Sequence, residues 1–484
     1  MPVHLPTARW SQKNNKPEMM KKIITLAISA AAIFGCAACS EIEDGTTDID
    51  SWPSLIPTYE PKTYSFNHPC MLHTSSDISF VKAHLSQSPW SDGYQKLLGS
   101  GYSSNTYKAS PVKYLARLDA NNWSAKNNRW TDAGIEDEWY EGIHNNYTNF
   151  FRDAAAAYQL SLKWQLTGDA DAAKCAIKIL EDWAAVNKGL LLGRKSYKDD
   201  VIDPNEYLIM FQLHQVANAA ELLRDYNNWG NSNEFKAVVS WMKDCFAPFC
   251  SNFLATNIDN HSWMNWDLAS MTALLSIGIL AEDNDLVNEA ILHFKSSKGP
   301  GCINGKAIIE IFDDPDGTGE KLAQGNESGR DQGHNTLCAV LLGYFCQMAN
   351  SIGEDLFSFE DGKAIAFAQY IAKYNMVNPS LGQDYGSNLT DASFKYRHSS
   401  FPFTAYDYSG NHMTKVSEEG RGTKRPGWDI WAGYCNSHGI KATYLEEYAA
   451  HFRADGGGGH YGSNSGGFDQ LGFSTLMYYR EPKK

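Results

Sequence analysis

From about residue 145 to residue 376 the chain keeps to one hydrophobic period, and this restricts the fold more than any other feature. The segments YTNFFRDAAAAYQLSLKWQLTGD, DAAKCAIKILEDWAAV, YLIMFQLHQVANAAELLRDY, NEFKAVVSWMKDCFAPFCSNFLA, NWDLASMTALLSIGILAED, LVNEAILHFKSS, GHNTLCAVLLGYFCQMANSIGED and KAIAFAQYIAKYN all place apolar residues three and four apart. That spacing lines one stripe of an α-helix. Many of the segments end in Gly, Asn or Asp, which close helices and open turns. No strand series separates them, so the expected class is all-α. No tight internal repeat is visible either, which favours a closed ring of helical hairpins over a regular solenoid.

Two regions depart from the period. Residues 377–430 are loop-rich, with many Tyr, Ser, Gly and Asp, and are placed to cover a cleft. RADGGGGHYGSNSGGFDQLGF has no strand before it and no helix after it, so it does not read as a nucleotide loop. Its glycines suit a wall where backbone approaches a ligand closely.

The net charge of −14 argues against nucleic acid as a partner. An acidic chain can still hold an acidic polymer when its cations gather in one cleft, so individual arginines matter more than the sum. Aromatic residues reach 13%. They suit either a large helical core or a groove where flat rings stack on sugar faces.

The N-terminus reads as an export signal. In MMKKIITLAISAAAIFGCAACSEIEDG, two lysines precede an apolar run of about 15 residues and then small residues ending at cysteine, too short and wrongly flanked for a membrane span. The expectation is a lipoprotein signal over residues 1–39, counting upstream residues before Met19, with Cys39 lipidated and Cys36 as the alternative. The acidic residues that follow resemble the surface-export signal of some outer-membrane lipoproteins. An acidic, Pro/Ser/Thr-rich tether is expected over 40–65, then one domain over 66–484 acting as a monomer at the cell surface. The other eight cysteines are scattered, and Cys245 and Cys250 are too far apart for a zinc knuckle. Buried thiols are expected, with a disulfide or two as the alternative, and no metal or cofactor.

The polar residues that stand out lie at helix entries. In NESGRDQGHNTL, Ser328 and Asp331 have the spacing of a capping box, so the helix is expected to begin there. Arg330 and His334, four apart, share one face beside the positive end of the helix dipole. In NIDNHSWMNWDL, His261 and Asn265 repeat this placement. Each pair alone reads equally as an ordinary helix end; the two converge only if both helices point their N-termini to one end of the ring. An amide, a histidine and an arginine around a cleft suit β-elimination on a uronate. Removing the C5 proton requires neutralising the neighbouring carboxylate, the part for Arg330 and Asn265. His or Tyr would move the protons. The rival chemistry, inverting hydrolysis, needs two facing carboxyl groups, for which Glu327, Asp331, Asp267 and Asp384 are candidates. A non-catalytic glycan-binding lipoprotein is the other alternative.

NESGRDQGHNTLCAVLLGYFCQMANSIGEDLF, with KAIAFAQYIAKYN after it, resembles the centre of the alginate lyase-like domain family of polysaccharide lyases. NWDLASMTALLSIGIL, RPGWDIW and GGGGHYGSNSGGFDQLGF resemble further blocks in the same order, over about residues 140 to 480. Among the characterised groups the chain is most similar to polysaccharide lyase family 38. The resemblance implies an (α/α) toroid that cleaves alginate, polymannuronate or a glucuronan and leaves unsaturated uronate ends. Asn265 and Trp266 match the NW block, Arg330 and His334 match GRDQGH, and Asn260–His261 is similar to the Asn–His pair of other alginate lyases. Those enzymes carry a tyrosine shortly after the arginine, where this chain has Thr336 and Leu337. Tyr385 and then Tyr461 are the candidates to replace it. Asn260, Trp263, His144, Asn146, Gln332, Trp431 and His460 are the expected substrate contacts, together with Tyr461.

Overall fold

The protein is described by a computed structural model over residues 47–48, 56–116, 146–190, 204–260, 262–376 and 401–483, without the side chains of 47–48, 204–207 and 257–260. Fourteen α-helices occupy these residues: α1 Ser75–His84, α2 Trp90–Gly99, α3 Tyr147–Thr167, α4 Ala170–Val186, α5 Leu213–Leu223, α6 Asn233–Cys245, α7 Ala247–Asn260, α8 Met264–Leu280, α9 Asn284–Ser296, α10 Gln332–Ser351, α11 Phe359–Asn375, α12 Trp428–His438, α13 Thr443–Phe452 and α14 Ser474–Tyr478. Short strands β1 (Thr47–Asp48), β4 (Tyr406–Tyr408) and β5 (Asn411–Met413) form one small sheet, with β4 in the centre. β2 (Ile308–Asp313) and β3 (Lys321–Gly325) pair as an antiparallel hairpin. That hairpin interrupts the helical series where no strand was expected.

The hairpin turns are set by local chemistry. Gly168 closes α3 in the left-handed conformation, φ 75°, and the Asp169 carboxylate caps α4 by accepting from the N–H groups of Asp171 and Ala172. Asp283 caps α9 in the same way after α8. Ser232 caps α6 through the N–H of Phe235. α3, α5, α8 and α10 lie side by side and are buried on nearly every face, while α4, α6, α7 and α9 pack outside them. This is the two-layer plan of an (α/α) toroid. α12 continues the inner layer from α10, and α14 with α1 and α2 leads from α12 back to α3. A buried polar seam fastens this part: the Tyr478 hydroxyl meets His73 Nδ1 at 2.8 Å, and His73 Nε2 meets the Tyr158 hydroxyl at 2.7 Å.

The segment before α1 is bound to the helices. Asn288 and Asn284, one turn apart on α9, accept from the backbone N–H of Lys62 (2.8 Å) and Tyr64 (2.7 Å). Asn288 also donates to the Lys62 carbonyl at 2.7 Å. Residues 59–64, which sequence reading places in the tether, therefore run across the end of the ring where α8 finishes and α9 begins. All eight described cysteines are free thiols, most of them buried.

Candidate active site

The site is built on the turn before α10. β3 brings the chain to Gly325, where a Cβ would stand 2.2 Å from the Phe367 ring, so only glycine fits. Asn326 then donates to the carbonyls of Pro300 and Lys306 at 3.0 and 2.9 Å and fixes the turn in the interior. Glu327 follows, fully buried. Its carboxylate serves two helix entries at once: Oε1 accepts from the Asn265 N–H in the first turn of α8 at 3.1 Å, and Oε2 accepts from Arg330 Nη1 at 3.1 Å. The N-termini of α8 and α10 thus meet at one carboxylate, which satisfies an otherwise orphaned amide. Burial pushes the Glu327 carboxyl above its ordinary value, and Arg330, His334 and the Asn265 amide pull it back only in part.

Arg330 has three further neighbours. Its guanidinium lies over the Trp263 ring, 4.8 Å from the centroid, an attractive geometry for a cation. Nε is 3.6 Å from Asp331 Oδ2, and Nη2 is 3.5 Å from His334 Nε2. The side chain is still 25% exposed, so one edge reaches solvent. Trp263, directly before α8, is held edge-on against Tyr408 with centroids 5.1 Å apart.

Asp331 does two jobs. Oδ1 caps α10 by accepting from the His334 N–H at 2.8 Å, and Oδ2 holds His334 Nδ1 at 2.6 Å. Burial raises the Asp331 carboxyl, but the contacts to His334 outweigh it and hold the group below its ordinary value. With Nδ1–H donating to Asp331, the His334 lone pair sits on Nε2. The ring is 40% exposed, enough to meet a ligand.

The structure brings Arg330, His334 and Trp263 together and ties the backbone of Asn265 to them through Glu327, with the Asn265 side chain buried. His261, Tyr385, His144 and Asp384 lie outside the described residues, as does the side chain of Asn260. Tyr461 accepts from the Gly456 N–H at 3.0 Å and His460 Nδ1 meets the Gly457 carbonyl at 3.1 Å, so both brace the glycine-rich loop.

Several expected contacts have other work. Trp431 is fully buried, its indole N–H donating to the Ala339 carbonyl at 3.0 Å, so it is a core ring with no face for a sugar. Gln332 is equally buried, joining the carbonyls of Ser328 and Ser417 to the amides of Asn335 and Asn375. Asn146 spends both ends of its amide on the backbone of Tyr114 and Ala116. Asp267 is buried against His293 Nε2 at 2.9 Å and the Gly301 N–H at 2.9 Å, away from any role as a hydrolytic acid. Ser328 is not the cap of α10: residues 328–330 turn over Tyr406, whose hydroxyl accepts from the Gly329 N–H at 3.1 Å, and capping passes to Asp331.

Two further neighbours are not among the expected site residues. Tyr406 closes the floor of the turn, donating to the Asn326 carbonyl at 2.7 Å. Arg425 donates from Nε to the Gly333 carbonyl at 3.0 Å and lies 3.7 Å from Asp469, so it ties the first turn of α10 to the C-terminal loops. Tyr406 belongs to no local pattern, and Arg425 opens the RPGWDIW block; each acts on the site at long range in sequence.

Fold and site define a class: an (α/α)-toroid enzyme in which an arginine, a histidine and a buried asparagine gather at the entries of two inner helices. The sequence model for alginate lyase matches residues 103–380, more than half of the chain, and the protein belongs to this family. It is a polysaccharide lyase. Among solved structures it is similar to an alginate lyase from Bacteroides ovatus, with a TM-score of 0.50 and 13% identity over 86% of this chain and 100% of that one. A form of alginate lyase A1-III complexed with a tetrasaccharide gives 0.51 and 16%, over 84% and 95% of the two chains. That enzyme comes from Sphingomonas species A1. At such identities the likeness speaks for the fold alone. No curated protein matches the chain.

Proposed function

We propose that the protein cleaves a uronate polysaccharide, alginate or a glucuronan, by β-elimination in the manner of polysaccharide lyase family 38. The observation that carries this reading is the shared Glu327 carboxylate, which sets Arg330 and the start of α8 around one point. The exposed edge of Arg330, with Asn265, receives the C5 carboxylate and stabilises the charge that develops when the C5 proton leaves. His334 takes that proton on Nε2, oriented by Asp331. The electron pair forms the C4–C5 double bond, and the glycosidic oxygen departs from C4 with a proton supplied by His261 or by a tyrosine, Tyr385 or Tyr461. Trp263 offers a flat ring beside the bound sugar. The alginate lyases among the similar structures, one of them complexed with a tetrasaccharide, make alginate the first substrate to test.

The same reading makes the protein a monomeric lipoprotein of the outer membrane, facing outward and anchored at Cys39. Cys39→Ala should move it from the membrane to the soluble fraction at unchanged specific activity, because the acyl chains anchor the domain and do not build its site. A variant that stays with the membrane would shift the anchor to Cys36 or elsewhere. The reaction itself is tested on alginate, polymannuronate, polyguluronate, glucuronan and neutral glycans, following the ultraviolet absorbance of the unsaturated uronate. The reading requires absorbing ends from at least one uronate and none from neutral glycans. New reducing ends without absorbance would make the protein a hydrolase, and binding without cleavage would make it a capture protein.

A further inference from the structure

At the other end of α8, His68, Cys70 and Glu221 come together from positions far apart in the chain. Each turns one ligand atom inward, and those atoms all lie within 4.8 Å of one another. His68 Nδ1 is 2.7 Å from Glu221 Oε1 and 3.6 Å from Cys70 Sγ. The far nitrogen of the same ring, Nε2, is 3.3 Å from Glu282 Oε1. Arg224 holds the second oxygen of Glu221, Nε to Oε2, at 2.7 Å. Cys70 and Glu221 are buried, while His68 keeps a side chain 16% exposed, a path from solvent.

The geometry points to a binding site for a borderline divalent cation of the zinc or cobalt type, held by His68 Nδ1, Cys70 Sγ and Glu221 Oε1. Mixed nitrogen, sulfur and oxygen donors select that class of ion over calcium or magnesium, which favour oxygen alone. With metal–nitrogen and metal–sulfur distances of about 2.0 and 2.3 Å, a tetrahedral centre puts the two ligands about 3.6 Å apart. The His68–Cys70 separation already has that length. The His68–Glu221 contact is shorter than the corresponding edge of about 3.3 Å, so binding replaces this hydrogen bond and moves the carboxylate back by roughly 0.6 Å. Glu282 then accepts from Nε2–H, the outer carboxylate that commonly orients a metal-bound histidine. On binding, the Cys70 thiol and His68 Nδ1 each release a proton to solvent. The negative charges of the thiolate, Glu221 and Glu282 are balanced by Arg224 and the ion.

Three protein ligands leave the fourth tetrahedral position to a water, and the ion's effect would fall on the fold. Cys70 and His68 end the segment that runs across α9, and Glu221 ends α5, so the ion would staple that segment to the inner layer. α8 is 17 residues long and separates this end from Arg330 by about 25 Å. Activity is therefore not its readout.

The test is a cobalt(II) titration of the chelator-stripped protein. The expected result is one equivalent bound, with a thiolate-to-cobalt charge-transfer band in the near ultraviolet and a raised melting temperature. Cys70→Ser should abolish the band with unchanged circular dichroism, and Cys175→Ser should leave it intact. Glu282→Gln, outside the ligand set and half exposed, should weaken binding on the order of 10- to 100-fold. Absence of stoichiometric binding, or a band that survives Cys70→Ser, would overturn the assignment and leave the cluster as an ion-pair network.

Discussion

Glu327 decides how Arg330 meets a substrate. An ionised Glu327 competes with the uronate carboxylate for the same guanidinium; a neutral one does not. Because burial raises this carboxyl, the change falls above the ordinary carboxylate pKa of about 4.3. KM for a uronate should therefore climb as pH rises through the raised value, and Glu327→Gln should flatten that climb. The stability sign agrees. A carboxyl raised in the folded state contributes stability that is complete below its unfolded pKa and is lost as pH rises through the folded one. Melting temperatures across pH should then move in favour of the glutamine variant toward the alkaline side, and parallel curves for the two proteins would contradict this. Asp331→Asn separates capping from catalysis, since asparagine caps a helix as well as aspartate. Turnover should fall on the order of 100-fold with little change in melting, as the histidine loses the partner that fixes its tautomer. The nearness of Arg330 and His334 was legible from their four-residue spacing, although Arg330 stands in the turn before Asp331 caps α10 and meets His334 from outside the helix. The link from Glu327 to Asn265 was not, because it joins positions 62 residues apart.

The helices were the most legible elements, since each carries its own period and most carry their own caps. The β2–β3 hairpin was not. β2 shows no clean alternation of buried and exposed residues, and a short run of that kind gives no strand signal. Its stability comes from α11 instead. Lys373 on α11 reaches into the turn, pairing with Asp314 and lying 2.9 Å from Asp316, and all three groups are buried or nearly so. Burial raises Asp314, but Lys373, Thr318 and Tyr444 outweigh it and hold the carboxyl at about 2. A depressed carboxyl contributes stability present above its unfolded pKa and lost as pH falls through the folded one. Lys373→Met leaves two carboxylates without their cation and should cost about 3–5 kcal/mol in denaturant melts at neutral pH. The deficit should shrink as pH falls through the carboxylate range toward 2, as Asp314 protonates. A deficit constant over that range would mean that the lysine acts by packing alone.

At the scale of the molecule, the order of helices around the ring follows from short connections between amphipathic segments, which is why the architecture was legible in the sequence. The path of residues 59–64 could not, because Asn284 and Asn288 hold that segment by side-chain amides that leave no period in the sequence. The corrected positions share one cause. Trp431, Gln332 and Asn146 are polar or aromatic residues near functional blocks, and sequence proximity does not distinguish a buried hydrogen-bonding role from a lining one. Only the closed ring brings the entries of α8 and α10 to one carboxylate, and the proposed chemistry depends on that convergence. The most direct measurement is the rate of unsaturated uronate formation by Arg330→Ala and Asn265→Ala, each shown to keep wild-type helical content. The predicted result is a loss on the order of 100- to 1,000-fold for each, with Arg330→Lys failing to restore the rate because an ammonium lacks the planar fork. Wild-type rates in the folded alanine variants would contradict the account.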